Sequence, residues 1–191
     1  MTATLGGSVE LLDRALGYTR GRLSTVHDGL LGRPTPCEAW TLADLLAHME
    51  DALDAFAEAA GGAVEVRGGA TAAGRVAVLQ EKACALLGAW SGPAPGDVVL
   101  AVRPPARDRV DLGSGLLVAT AALEVTVHGW DVGQATGSPA PVPEALARAL
   151  LPVAHAVVGP ADRGGRFARA RAVDPGAPSA QRLLAHLGRR C

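Results

Sequence analysis

The chain has 191 residues, 49% hydrophobic, 19% charged and 3% aromatic, with 18 basic against 19 acidic residues and a net charge of −1. It is too apolar for a disordered chain and lacks the basic excess of a nucleic-acid binder, so one globular domain over residues 1–191 without a nucleic-acid partner is expected. Alanine and leucine abound and isoleucine is absent, a composition that favours helices over strands. Met1–Val9 carries no basic segment followed by an apolar one, and no apolar run reaches the roughly 18 residues of a spanning helix. A cytoplasmic protein without a membrane partner is therefore expected. Cys37, Cys84 and Cys191 are odd in number and form no C-x-x-C pair, which argues against a disulfide framework or a cysteine-type zinc site.

The first predicted element is a helix. Val9, Leu12, Leu16, Thr19, Leu23, Val26 and Leu30 recur at spacings of three and four, one apolar face over six turns. Gly17 and Gly21 lie inside it, either to admit a neighbouring helix or as weak points. Gly32–Pro36 breaks the pattern. A second helix then starts at Thr41, the expected N-cap, with Asp44 as the capping-box acid and Trp40 and Leu45 as a hydrophobic staple. Its apolar side carries Leu42, Leu45, Leu46, Met49, Leu53 and Phe56, and it stops near Gly61.

A third helix is predicted from Ala73 to Trp90, with Val76, Leu79, Ala83, Leu86 and Leu87 inward. Between Ser91 and Gly115 four prolines interrupt the pattern, and Val98–Val102 reads as one short extended piece. Such a long connection is how a four-helix bundle crosses over. The fourth helix, Leu116 to Ala135, is the most apolar and is stopped by Gly137-Ser138-Pro139. A fifth runs from Pro143 to Val158, bent at Pro152, and a short last helix covers Ser179 to His186 before Gly188. The fold class is all-α: a four-helix bundle with a long crossover and additional C-terminal helices, residues 159–191 forming an extension.

The residues with chemical potential are histidines and one glutamate. Glu124 and His128 are four apart on the fourth helix and share a face; the second helix offers His48. Two imidazoles and a carboxylate from two helices match the three-ligand, open-position set of catalytic zinc, and the same set suits Fe(II). The rival reading is a solvated face: Thr120, Glu124, His128 and Asp131 form one polar stripe, and Asp44, His48 and Asp51 another. His27, His155 and His186 have no partner at ligand spacing. Cys37, just before the second helix, reads as a structural thiol with no histidine placed as its base. Gly113-Ser114-Gly115 lacks the G-x-S-x-G frame, and the glycine pairs lack a P-loop lysine or a G-x-G-x-x-G.

Two segments carry a family resemblance. Thr35-Pro36-Cys37-Glu38-Ala39-Trp40-Thr41-Leu42-Ala43-Asp44-Leu45-Leu46-Ala47-His48 resembles the opening signature of the mycothiol-dependent maleylpyruvate isomerase N-terminal domain family, one of the DinB/YfiT-like metal-binding bundles. Glu124-Val125-Thr126-Val127-His128-Gly129-Trp130-Asp131 resembles its second signature, and Gln181–Arg189 looks like the end of a short, single-domain branch. The resemblance implies a bundle that binds a divalent metal, usually zinc, with nickel or iron as alternatives, at positions that fall on His48, Glu124 and His128. It further implies a small-molecule substrate, mycothiol as cosubstrate, and thiol transfer or isomerisation on an electrophilic metabolite. Asp131, one turn past His128, reads either as a residue that orients a ligand imidazole or as a polar residue near the helix end. The two-domain isomerases carry a further C-terminal domain for which residues 159–191 are too short, so maleylpyruvate itself is not assumed as substrate. A homodimer is expected, since such bundles often pair. Two other readings stand beside this one: a non-catalytic bundle binding a small molecule or partner, and a thiol-independent metal hydrolase.

Overall fold

The computed structural model describes residues 4–37, 40–61, 72–92, 97–99, 111–164 and 167–190. Its elements run α1 (Leu5–Leu23), α2 (Leu42–Gly61), α3 (Ala72–Ser91), β1 (Asp97–Val99), β2 (Asp111–Gly113), α4 (Ser114–Thr136), α5 (Glu144–Val157) and α6 (Ser179–His186). α1 packs along α4 and α2 along α3, with α2–α4 and α1–α3 contacts closing a four-helix bundle; α5 lies on α4 and α6 on α5. One hydrophobic cluster includes residues of all six helices, from Leu11 to Leu187. The expected all-α bundle with a crossover and added C-terminal helices is the fold observed. Among the described residues, no helix is long and apolar enough to cross a membrane.

α1 is shorter than its apolar repeat. It ends at Leu23, where Ser24 Oγ donates to the Gly21 carbonyl (3.0 Å) and Thr25 Oγ1 to that of Arg22 (2.7 Å). These hydroxyls satisfy carbonyls of the last turn locally. His27 is then extended and Asp28–Leu30 makes a single 3-10 turn. Leu30 is nonetheless buried: the periodicity reported burial beyond the point where the helix stops.

α2 begins as the capping box predicts. The Thr41 backbone N–H donates to Asp44 Oδ2 (2.9 Å), and the Asp44 N–H donates back to Thr41 Oγ1 (3.3 Å). Leu42, Leu45, Leu46, Met49 and Leu53 are buried below it. In the connection, β1 pairs antiparallel with β2, Val98 opposite Leu112. The extended piece predicted over Val98–Val102 is thus present at its start, residues 100–102 lying outside the described residues. β2 is three residues long, too short to leave a period in the sequence.

α4 is enclosed on nearly all sides, which explains why it is the most apolar of the predicted helices. Every polar side chain buried within it therefore needs a partner; Thr126 finds one in the carbonyl of Ala122 at 2.7 Å. α1 comes very close to α4 at Gly129. A Cβ there would overlap Thr19 Oγ1 and lie 3.0 Å from the Thr19 Cβ and 3.1 Å from its Cα. Thr19 uses the proximity to donate to the Val125 carbonyl at 2.7 Å. Gly17 and Gly21 do not serve close packing: a Cβ at either meets nothing within 4 Å.

Pro152 sits within α5 on its exposed side without ending the helix. The segment after α5 is held to the body of the fold. Arg163 donates to the carbonyls of Ala168 (3.1 Å) and His186 (2.7 Å), and Leu183 and Leu187 are fully buried. Gly188 adopts φ 81°, and a Cβ there would come within 2.8 Å of the Ala168 Cβ. The left-handed turn it permits sends Arg189 back into the core.

Candidate metal centre

Two helices converge on one point. α2, fixed at its start by the capping box, presents His48 at the end of its second turn; α4 presents Glu124 and His128 one turn apart. His128 Nε2 lies 3.2 Å from Glu124 Oε2. The His48 and His128 rings meet edge to face with centroids 5.0 Å apart, and Trp40 covers them at 4.7 Å from His48 and 6.3 Å from His128. One ligand atom from each of His48, Glu124 and His128 lies within 4.8 Å of the other two.

The second nitrogen of His128 is engaged on the opposite side. Nδ1 lies 3.1 Å from Asp131 Oδ2, within a carboxyl group that has no exposure to solvent. A carboxylate only accepts, so Nδ1 carries the proton and Nε2 is the atom turned towards Glu124. Arg189 grips the same carboxylate with two hydrogen bonds, Nε to Oδ1 at 3.1 Å and Nη2 to Oδ2 at 2.7 Å. Its Nη2 also donates to Cys37 Sγ (3.0 Å), and the Cys37 thiol donates to Asp131 Oδ2 (3.2 Å). The chain's first loop, its fourth helix and its C-terminal segment are thus tied together behind the imidazole.

Electrostatics follow from this wiring. Burial, with His128 alongside, keeps the His48 imidazole below the ordinary histidine range, so it is neutral. Burial works against a charge on His128 as well, but the bonds with Asp131, Cys37 and Glu124 outweigh it and hold its proton well above that range. Asp131, despite burial, stays below the usual carboxylate range because His128 and Arg189 bond it. Ligand imidazoles bind cations in the neutral form, so a divalent ion beside Glu124 would displace the proton on Nε2.

The donor set fits a divalent cation: two imidazoles and a carboxylate, with the Nδ1 of one imidazole held by a carboxylate as in metal sites generally. Cys37, His128 and Asp131 form a second grouping of possible ligand atoms. There the Arg189 guanidinium already supplies the positive charge, so this grouping reads as a hydrogen-bonded support for the first.

The solvated-stripe reading of α4 fails at its lower half. Asp131 is fully buried and His128 nearly so, while Thr120 and Glu124 are half-buried. On α2, Asp44 and Asp51 are exposed and only His48 turns inward. Cys37 Sγ lies 3.9 Å from His128 Nδ1, a nitrogen whose proton is turned to Asp131, so this contact does not supply the thiol with a base. Arg189 falls in the closing segment that resembles the family, but nothing in its spacing links it to Asp131, 58 residues earlier. His155 and His186 do meet, with ring centroids 4.1 Å apart, but away from this centre. Ser114 opens α4 as a buried residue of its first turn.

Comparison with known proteins gives three findings. Residues 12–133 match the family described as the mycothiol maleylpyruvate isomerase N-terminal domain. The uncharacterized protein Rv0738 of Mycobacterium tuberculosis strain H37Rv is 31% identical over 169 residues, covering 87% of this chain and 89% of that protein; MT0763 of strain CDC 1551 matches equally. Crystal structures of the mycothiol-dependent maleylpyruvate isomerase and of a histidine-to-alanine mutant share the fold. Their TM-scores are 0.58 and 0.61 at 18% and 16% identity, each covering 79% of this chain and 71% of that one.

Proposed function

This chain belongs to the mycothiol maleylpyruvate isomerase N-terminal domain family, and from that premise we propose that it is a divalent-metal enzyme that uses a low-molecular-weight thiol, mycothiol, on a small electrophilic metabolite. The observation that carries the reading is the convergence of His48, Glu124 and His128 from two helices, with His128 fixed from behind by the buried Asp131. Zinc is the metal this set suits best, three protein ligands and an open position being the catalytic-zinc pattern. Bound there, it would lower the pKa of a thiol brought to it and so favour the nucleophilic thiolate.

The chain's own residues do the positioning. Asp131 holds the His128 ring in one tautomer and one orientation, and Arg189 holds Asp131 by its two-point grip. Glu124 adds the negative charge that offsets a dication. Trp40, its ring tilted against His48 with centroids 4.7 Å apart, packs on that side of the site. The proposed compartment is the cytoplasm, where small thiols stay reduced.

The test is conversion of electrophiles by zinc-loaded protein in the presence and absence of mycothiol, with 1-chloro-2,4-dinitrobenzene and activated alkenes as first substrates. Loss of free thiol above the uncatalysed rate is expected for wild type and is expected to fall to background in His48→Ala. Equal conversion without thiol would replace this reading by the hydrolase, and equal conversion by His48→Ala would remove the metal from the account.

A further inference from the structure

A cavity of about 360 Å³ lies between α1, α2, α3 and α4, with Glu124 and His128 among its lining residues. The volume is at the small end of ligand pockets, which span about 300–1,000 Å³. Leu16, Met49, Phe56, Leu79 and Leu87 give it hydrocarbon walls. Among the described residues lining it, Arg20 is the one arginine or lysine, and it is exposed; Asp13 and Glu124 add negative charge. A dicarboxylate entering here could bring one carboxylate to a cation held at Glu124 and His128, but its other carboxylate would surrender its hydration against hydrocarbon without a buried cation of its own, which is unfavourable. An uncharged apolar molecule gains from the same walls.

Gly17 explains why the space is open. It lines the cavity, it is exposed although it lies in the interior of α1, and a Cβ on it meets nothing within 4 Å. Glycine is the poorest interior helix residue after proline, and no neighbouring helix approaches closely enough here to require it. What its missing side chain leaves is room.

We propose that this cavity receives the apolar body of a compact, uncharged electrophile with its reactive end towards Glu124 and His128, and that Gly17 sets the size of what enters. The word electrophile rests on the function proposed above; the apolar, uncharged class and the role of Gly17 rest on the cavity itself.

The test uses the full chain and the uncharged fluorescent probe N-phenyl-1-naphthylamine. Wild type and Gly21→Phe should bind it saturably with equal affinity, because Gly21 also faces open space but does not line the cavity. Gly17→Phe should weaken binding about tenfold or more by filling the compartment, with zinc content and helical circular dichroism unchanged. Cyclohexenone should displace the probe and fumarate should not. Absence of saturable binding by wild type, equal binding by Gly17→Phe, or displacement by fumarate as effective as by cyclohexenone would overturn the inference. The two readings fail separately: zinc retained without probe binding removes only this one, and probe binding without zinc removes only the metal enzyme.

Discussion

Asp131→Ala is expected to destabilise the protein by about 3–5 kcal/mol, the cost of leaving one member of a buried ion pair alone. The carboxylate is fully buried and accepts from His128, Arg189 and Cys37 at once. Its removal strands a guanidinium with only 7% exposure and frees the His128 ring to rotate. At roughly 2–4 °C per kcal/mol for a chain of this size, the melting temperature should fall by on the order of 10 °C. A double variant, Asp131→Leu with Arg189→Met, should cost less than the sum of its two singles, since it removes both charges together. Thermal and urea unfolding of the four proteins measures this. Strict additivity, or a loss below about 1 kcal/mol, would show that the pair is solvated and does not hold the imidazole.

Gly129→Ala should also destabilise, although alanine is the better helix former by about 1 kcal/mol. The added methyl would overlap the Thr19 hydroxyl and press on the backbone of α1, an overpacking cost of about 1–3 kcal/mol or more. Gly17→Ala makes the same chemical change where nothing lies within 4 Å, and it should stabilise by up to about 1 kcal/mol. The opposite signs isolate the packing effect from helix propensity. Thr19→Gly should recover part of the Gly129→Ala loss, because the clash is with that side chain. Denaturant midpoints of these variants decide the matter, and a stabilised Gly129→Ala would contradict the close α1–α4 approach.

The fold was largely legible because its signals are local. The Thr41–Asp44 capping box, the leucine spacing of α2 and the Gly137 stop each act within a few residues, and α6 has the predicted bounds. The apolar repeat of α1 misled only where hydroxyl–carbonyl bonds after Leu23 ended the helix while burial continued to Leu30. At the site, the i,i+4 spacing of Glu124 and His128 is likewise local, and His48 joined them through its own motif.

What could not be read was tertiary. Arg189 reaches Asp131 only because Gly188 turns the chain after α6, and no periodicity encodes that return. The approach of His128 to Cys37 is likewise made from another helix and leaves no trace in spacing. The roles of Gly17 and Gly129 were equally hidden: the first faces a cavity and the second touches a neighbouring helix, yet each is a glycine in a helical stretch.

Zinc binding to wild type, His48→Ala, Glu124→Gln, His128→Ala and Asp131→Asn, measured by elemental analysis after dialysis and by competition with a chelating dye, tests the central claim most directly. Wild type should retain about one ion per chain, and each of the three ligand variants should fall to background. Asp131→Asn should still bind, but about 10–100-fold more weakly, through the lost support of His128. A wild type that retains no zinc and competes for none, or ligand variants that bind as tightly as it does, would contradict the account.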